Sequence, residues 1–210
     1  MDIEIKKSIK PVNYKLAINL LEKRVHNLAV NKGKELIWFL EHKSIFTAGT
    51  NYKENEIIEK NIKIFKTNRG GKITWHGPGQ IVAYPIFKLR DEERDLHKVL
   101  RKLEDALIRV LGVVGLQGGR KENHTGVWCE GKKLVSVGVA VTGWVTYHGV
   151  ALNVACDLSA FARINPYGLD AQVMSSLEAM QANTLPLDQM RALVAMEIAR
   201  AFDRRFPRGV

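Results

Sequence analysis

The sequence lacks long apolar runs, a cysteine framework and an N-terminal targeting pattern. No run approaches the roughly 18 apolar residues that a membrane span needs, so we expect no membrane partner. The opening stretch, MDIEIKKSIK, has no apolar core of the kind found in signal peptides. The two cysteines, Cys129 and Cys156, are too few for a disulfide framework and indicate a reducing compartment. Together these absences predict a cytoplasmic protein.

Signatures of nucleic-acid binding are also missing, although the formal net charge is +10. There is no zinc-finger spacing, no aromatic-rich RNA-binding pattern and no dense basic arm, so we expect no nucleic-acid partner. A basic balance favours acidic partners, which include nucleic acid, an anionic membrane surface and an acidic protein. The alternative, that the charge serves solubility alone, stays open.

Helical and strand-like patterns alternate along the chain, with no internal repeat and no low-complexity linker. Apolar residues recur at helical spacing over 14–28 and over 96–111, where Asp95 can cap the second helix. A last helix is predicted over 186–202, opened by a proline. Strands are predicted at 36–40, 62–65, 80–87, 126–130, 134–141 and 145–154, and a loop at 46–55. The expected fold class is α+β, with residues 1–210 forming one domain around a mixed sheet flanked by helices.

The most polar segment is RGGKITWHGPGQ at 69–80, between two apolar strands. Its four glycines allow sharp turns and let a ligand approach the backbone N–H groups. Its polar side chains suit an extended, polar or anionic ligand, although a purely structural turn would have a similar composition. The segment matches neither the dinucleotide fingerprint nor the P-loop, which argues against nucleotide binding.

Three later segments carry further candidates: KLVSVGV at 133–139, HGVALNV at 148–154 and INPYG at 164–168. Lys133 opens an apolar strand, where a lysine usually keeps its charged head in water. If it is instead partly buried beside a reacting group, it can lower the pKa of an acidic neighbour or relay a proton. His148 taken alone is typical of a structural residue. The Asn-Pro and glycine content of 164–168 predicts a turn.

Taken together, these segments resemble the lipoyl (octanoyl) transferase family. RGGKITWHGPGQ is similar to the family signature R-G-G-x-x-T-aromatic-H-x-P-G-Q, and GVWCEGKKLVSVGV to its G-V-W…K-x-x-x-x-G stretch. HGVALNV resembles H-G-x-A-L-N-V, and INPYG lies where the family has a P-C-G turn. Order and spacing agree over about residues 36–178, and several linked blocks are far more specific than any one of them.

The resemblance implies a fold shared with biotin and lipoate protein ligases. It also implies a cysteine thiolate that takes an octanoyl or lipoyl group from acyl carrier protein and delivers it to a lysine of an apo lipoyl domain. The implied acceptors are the lipoyl domains of 2-oxoacid dehydrogenases and the glycine cleavage H protein. Because a thioester is already activated, no cofactor, metal or ATP is expected.

Residue by residue, the family's paired lysine falls on Lys133 and its nucleophile falls on Tyr167. The residues implied to bind the acyl group are Arg69, Gly70, Gly71, Lys72, Ile73, Thr74, Trp75, His76, Ser136, Val137, Gly138, Gly149, Val150 and Ala151. We expect the glycine-rich segment and the strand of Lys133 to form one elongated apolar pocket with a polar mouth.

Tyr167 departs from the family pattern, which has cysteine at this position. A phenol with a pKa of about 10 is ionised roughly thirtyfold less at neutral pH than a thiol with a pKa of about 8.5. The larger ring is also expected to fill the mouth of the pocket, so the covalent route should be severely impaired. An inert role is expected for Cys129 and Cys156, although the sequence leaves open that Cys156 replaces the nucleophile.

Two other functions remain compatible with the sequence. The first is a non-catalytic protein that binds acyl groups or acyl carrier protein and has lost the nucleophile, which Tyr167 favours. Against it, the other motifs are intact. The second is an ATP-dependent lipoate or biotin ligase on the same fold, which the P-G-Q block fits less well.

Overall fold

The computed structural model describes residues 3–207, apart from the side chain of Tyr167. The strands are β1 (Glu4–Lys7), β2 (Leu36–Leu40), β3 (Ile45–Ala48), β4 (Ile64–Lys66), β5 (Ile73–His76), β6 (Gln80–Ile86), β7 (Gly119–Lys121), β8 (His124–Cys129), β9 (Lys132–Thr142) and β10 (Val145–Asn153). The helices are α1 (Tyr14–Ala29), α2 (Leu96–Val113) and α3 (Leu187–Ala201).

Seven strands form the main sheet in the order β1-β2-β6-β10-β9-β8-β7, and a small second sheet has the order β4-β3-β5. The main sheet is mixed, because β1 pairs with β2 in parallel while β2, β6, β10, β9 and β8 pair antiparallel in turn. Helices cover both of its faces, which confirms the predicted α+β fold class. Within residues 3–207, no helix is both long and apolar enough to cross a membrane.

Both faces of the main sheet are buried, and for this reason its central strands are apolar at nearly every position. In β2, Ile37 and Phe39 face the cluster that contains α2 and α3, whereas Trp38 and Leu40 face the cluster that contains α1. This alternation follows from the period of two in a strand. The central strands are thereby fixed from both sides, and they hold the site residues described below.

The helix predictions are confirmed, and their ends have local causes. The side chain of Asn13 accepts a hydrogen bond from the backbone of α1, and Asp95 caps α2 by accepting from the N–H groups of His97 and Lys98. Leu96, assigned to the apolar stripe of α2, is instead exposed, because it lies in the first turn of the helix, beyond the edge of the core.

Several strand predictions were wrong in detail. The predicted loop over 46–55 contains most of β3, which pairs with β4 and β5, and β4 begins two residues later than predicted. β5 lies inside the segment that its glycines mark as a loop, and the short edge strands β1 and β7 were not predicted. These strands are short, and pairing with distant neighbours decides them more than local composition does.

Candidate active site

The site lies on the two adjacent strands β9 and β10. Their antiparallel register pairs Gly149 with Gly138, Val150 with Val137, and Ala151 with Ser136. Two sequence segments implied to bind the acyl group therefore lie side by side in the middle of the main sheet.

The glycine-rich segment packs across β9 at the same level. The N–H of Gly70 donates to the carbonyl of Val139 at 3.0 Å. A Cβ added at Gly138 would lie 2.9 Å from the carbonyl oxygen of Gly70, so the close approach of the two backbones depends on this glycine. The structure thus brings three of the four predicted segments together.

Arg69 stabilises the glycine-rich loop from within. Its buried guanidinium donates to the carbonyl of Thr47 at 2.8 Å, to the Thr47 hydroxyl at 2.9 Å and to the carbonyl of Lys72 at 2.9 Å. The bonds to Thr47 link the loop to β3, and the bond to Lys72 closes the loop on itself. The guanidinium therefore shapes the wall of the site through the loop backbone.

Two cavities occupy this region, where the sequence predicted one elongated pocket. The larger, of about 310 Å³, is lined by Gly70, Gly71, Lys72, Lys133, Val137 and Gly138, together with residues of α2 and β8. The smaller, of about 20 Å³, is lined by Arg69, Thr74, His76, Ser136, Val137, Gly138, Gly149, Val150 and Ala151 with four neighbours. Val137 and Gly138 line both, so these two residues form the wall that separates the cavities.

Two of the predicted acyl-binding residues lie away from both cavities. Ile73 and Trp75 pack into a separate apolar cluster, in which the Trp75 ring meets Phe161 edge-on at 5.6 Å. Thr74 and His76 alternate with them on β5 and face the small cavity. Ile73 and Trp75 face away from the small cavity because successive residues of a strand face opposite sides. The sequence had not predicted that this segment is a strand.

Three neutral histidines lie at the small cavity: His76 and His148 line it, and His42 packs against His76. Burial lowers the pKa of His42 to about 4 and that of His148 to about 3, and it places the pKa of His76 well below its usual value. His42 is hydrogen-bonded to the Tyr84 hydroxyl at 2.7 Å, and His148 to Asn68 at 2.8 Å. These rings are uncharged at neutral pH, and the cavity of about 20 Å³ that they border has room for little more than a water molecule.

Lys133 is fully buried, which excludes the usual arrangement with its head in water and leaves the alternative of a buried lysine beside the site. Its Nζ donates to the carbonyl of Thr125 at 2.6 Å and lies 5.4 Å from the centre of the Trp128 ring. The pKa of Lys133 is lowered to about 7, mainly by burial; the carboxylate of Glu104 opposes this shift and the charge of Arg69 adds to it. A lysine in this state exchanges a proton near neutral pH, as a group that assists chemistry must.

The low pKa of Lys133 has a consequence for stability. An unfolded chain keeps this proton up to about pH 10.4, so between about pH 7 and pH 10 the unfolded state binds more protons than the folded state. The free energy of unfolding of the wild type, relative to Lys133→Met, should therefore rise by roughly 3 kcal/mol between about pH 7 and pH 9.5. Urea titrations of both chains at several pH values measure this difference, and parallel pH curves for the two chains would contradict it.

The turn predicted at 164–168 forms a 3-10 turn over Pro166–Gly168. A Cβ added at Gly168 would lie 2.6 Å from the Nζ of Lys72, so the turn packs directly against a residue that lines the large cavity. Lys72 is also paired with the buried carboxylate of Glu56 at 3.1 Å. The side chain of Tyr167 lies outside the described residues, and its predicted place at the mouth of the pocket stays a prediction.

Both cysteines are free and buried. Burial raises the pKa of Cys156 to about 12 and raises that of Cys129 as well. Cys156 packs in the same apolar cluster as Trp75, and neither thiol lines one of the two cavities. A thiol with so high a pKa is almost entirely protonated at neutral pH, which argues against Cys156 as a substitute nucleophile.

Sequence comparison decides the family. The family model described as "Lipoyl protein ligase A/B catalytic domain" matches residues 13–199. The chain belongs to this family. Members of the lipoyl protein ligase A/B family with close sequences include an octanoyltransferase of Geobacter metallireducens, which is 38% identical over 93% of this chain and 92% of its own length. An octanoyltransferase of Mycobacterium tuberculosis is 39% identical over 94% of this chain and 86% of its own length.

Solved structures agree with the ligase-family fold. A lipoate-protein ligase A bound with ATP superposes with a TM-score of 0.81 at 14% identity, covering 99% of this chain and 88% of that one. A biotin protein ligase from Aquifex aeolicus, in complex with biotin and ATP, gives a TM-score of 0.58 at 13% identity over 95% and 70% of the two chains. At such low identity these structures support the fold alone.

Sequence reasoning missed several residues that contact Lys133 or line a cavity. Thr125 and Gly126 contact Lys133, and Tyr14 and Tyr84 line the small cavity, yet none of the four was singled out. Gly126 had a signal, because a glycine within an apolar strand often marks a close approach. Tyr14 had none, since its helical spacing is that of an ordinary core residue.

Proposed function

We propose that this chain is an octanoyltransferase, which moves an octanoyl group from acyl carrier protein to a lysine of an apo lipoyl domain in lipoate biosynthesis. The observation that carries the proposal is the 38% identity to curated octanoyltransferases over nearly the whole chain. The geometry agrees with it, because a buried lysine and two cavities lie between the glycine-rich loop and β9. The proposed compartment is the cytoplasm.

Residue roles follow from the placement of the side chains. The large cavity of about 310 Å³, between the glycine-rich loop and β9, receives the acyl chain. The small cavity of about 20 Å³ has room for little more than a water molecule. Lys133 is the group that stabilises a negative charge on the nucleophile or exchanges a proton with it. Position 167 is the nucleophile position, and tyrosine there makes the chain a slow enzyme. The proposed acceptors are the lipoyl domains of 2-oxoacid dehydrogenases and the glycine cleavage H protein.

The test is a transfer assay followed by intact mass. Incubation with octanoyl-acyl carrier protein should add one octanoyl group to an apo lipoyl domain and none to the same domain with its target lysine replaced by arginine. Binding of octanoyl-acyl carrier protein without transfer, in the wild type and in Tyr167→Cys alike, would favour the second candidate function, a non-catalytic acyl-binding protein.

The charge of the cavity mouth predicts how the donor protein binds. Acyl carrier proteins are acidic as a family, and the large cavity is bordered by Lys72 and His124 with Lys121 nearby. Besides burial, the charges of Lys121, Lys133 and Lys72 lower the pKa of His124, so the mouth is electropositive. Binding should weaken as added salt shortens the Debye length from about 10 Å to 3 Å.

A pair of charge reversals makes this prediction specific. Lys121→Glu at the mouth should weaken binding of acyl carrier protein and flatten its salt dependence, whereas Lys32→Glu, placed after the end of α1, should do neither. Isothermal titration calorimetry at several salt concentrations measures the affinity of each variant for acyl carrier protein and its salt dependence. Affinity that is independent of salt would mean that the net charge of +10 serves solubility and not recognition.

A further inference from the structure

One peptide group lies between the buried lysine and a buried carboxylate. The carbonyl of Thr125 accepts a hydrogen bond from the Nζ of Lys133 at 2.6 Å. The N–H of Gly126 donates to the Oε1 of Glu104 at 2.8 Å. Because the carbonyl of residue 125 and the N–H of residue 126 belong to the same planar peptide, Glu104 and Lys133 bind its two ends.

Glu104 is held in place from its other side. Its Oε2 accepts from the Nε of Arg120 at 2.8 Å, and Arg120 also binds the carboxylate of Asp105 at 2.6 Å and the carbonyl of Arg101 at 3.0 Å. Glu104 is itself buried, on the face of α2 that packs against the sheet. A carboxylate on that face is costly to bury, and its two hydrogen bonds, from Gly126 and from Arg120, offset the cost.

The conformation of Gly126 permits this arrangement. Its φ of +124° lies in a region that residues with side chains rarely adopt. A Cβ at this position would also lie 2.7 Å from the Cε of Lys133. The pairing of β8 and β9 shifts register between Val127 and Trp128, next to this residue. Glycine is thus required for the peptide to reach both charged groups.

We infer that Glu104 is a positioning residue that acts on Lys133 through the peptide between Thr125 and Gly126. A carboxylate bound to the N–H end polarises the peptide and makes its carbonyl a stronger acceptor for an ammonium. The bond fixes the direction of Nζ and favours its charged form. The link from Glu104 through the peptide to Lys133 is independent of the proposed function. Only the use that the enzyme makes of Lys133 rests on the proposed function.

Other charged groups around Lys133 also act on the equilibrium between its charged and neutral forms. Arg69 of the glycine-rich loop opposes the ammonium form, as burial does, whereas Glu104 of α2 favours it. Lys72 of the loop and His124 of β8 line the same cavity. Among the described groups whose charges act on Lys133, Glu104 supports its proton. Removing the carboxylate of Glu104 should therefore change the titration midpoint of Lys133.

The test is an NMR titration of Lys133 in full-length protein with ¹³C-labelled lysine, assigned by comparison with Lys133→Arg. Glu104→Gln keeps the shape and an acceptor for Gly126 but removes the charge, and it should lower the titration midpoint of Lys133 by about 1 pKa unit. Asp105→Asn is the matched control, because it removes a carboxylate from the same helix and the same arginine but does not contact Gly126. It should leave the midpoint unchanged.

An unchanged midpoint in Glu104→Gln, or an equal shift in Asp105→Asn, would overturn the inference. A second readout needs no variant: the amide resonance of Gly126 in the wild type should shift with the same midpoint as Lys133, since both belong to one hydrogen-bonded unit. An amide that does not respond would also overturn it. Because neither measurement involves an acyl substrate, failure of octanoyl transfer would count against the proposed function only.

Discussion

Replacing Tyr167 with cysteine should raise octanoyl transfer to an apo lipoyl domain by at least about a hundredfold, the scale on which a misplacement of about 1 Å impairs a reaction. A thiol has a larger ionised fraction at neutral pH than a phenol, and its thiolate is the better nucleophile toward a thioester. The smaller side chain also leaves room for the thioester carbonyl. The remaining site residues are in place, since the walls of both cavities come from other segments.

The measurement is the initial rate of acyl transfer, with intact mass of the enzyme to locate the acyl group. The acyl-enzyme should carry one octanoyl group on residue 167 in Tyr167→Cys, and Cys156→Ala in the same chain should leave the rate unchanged. A wild type that already transfers as fast as Tyr167→Cys would show that position 167 is not the nucleophile position.

Removing Lys133 from the cysteine variant should reverse most of that gain. A nearby ammonium lowers the pKa of a thiol by about 1–3 units, so the double variant Tyr167→Cys with Lys133→Ala should lose roughly ten- to a hundredfold in rate near pH 6.5. The loss should shrink toward about pH 9, where the thiol ionises without help and Lys133, with its pKa of about 7, is itself neutral. The pH profile of kcat/KM measures this effect.

Lys132 supplies the control for that experiment. It is the preceding residue of the same strand, it is exposed, and its Nζ donates to the carbonyl of Gln172. Lys132→Ala in the Tyr167→Cys chain should keep the full pH profile. A loss in the Lys133 variant that is the same at every pH would mean that the lysine supports the structure of the site and not the ionisation of the thiol.

The fold was most predictable where local signals agreed with tertiary packing. For α2, Asp95 marks the start and a continuous apolar stripe marks the buried face, so both the element and its limits follow from the sequence. β5 was hidden because glycines on both sides of Ile73–His76 suggested a loop, while its pairing with β3 is a long-range contact. Local composition does not contain that information.

The site was predictable as a set of segments but not in its physical state. The motifs placed Lys133 correctly beside the glycine-rich loop, yet its complete burial depends on Gly126 and Trp128 of the neighbouring strand. The lowered pKa of Lys133 follows from that burial, so the sequence did not predict it either. The split into two cavities depends on the register of β9 and β10, which no pattern in the sequence specifies.

The order of strands in the main sheet also bears on how the chain folds. β6 joins β10 although about sixty residues separate them, so the two walls of the site meet only after a large loop has closed. Loop closure of this size opposes early contact formation and slows the folding of sheets dominated by distant pairings. A nascent chain that ends before β9 therefore carries the glycine-rich loop without the strand it packs on. The cavity beside Lys133 should therefore form only after β9 has been synthesised.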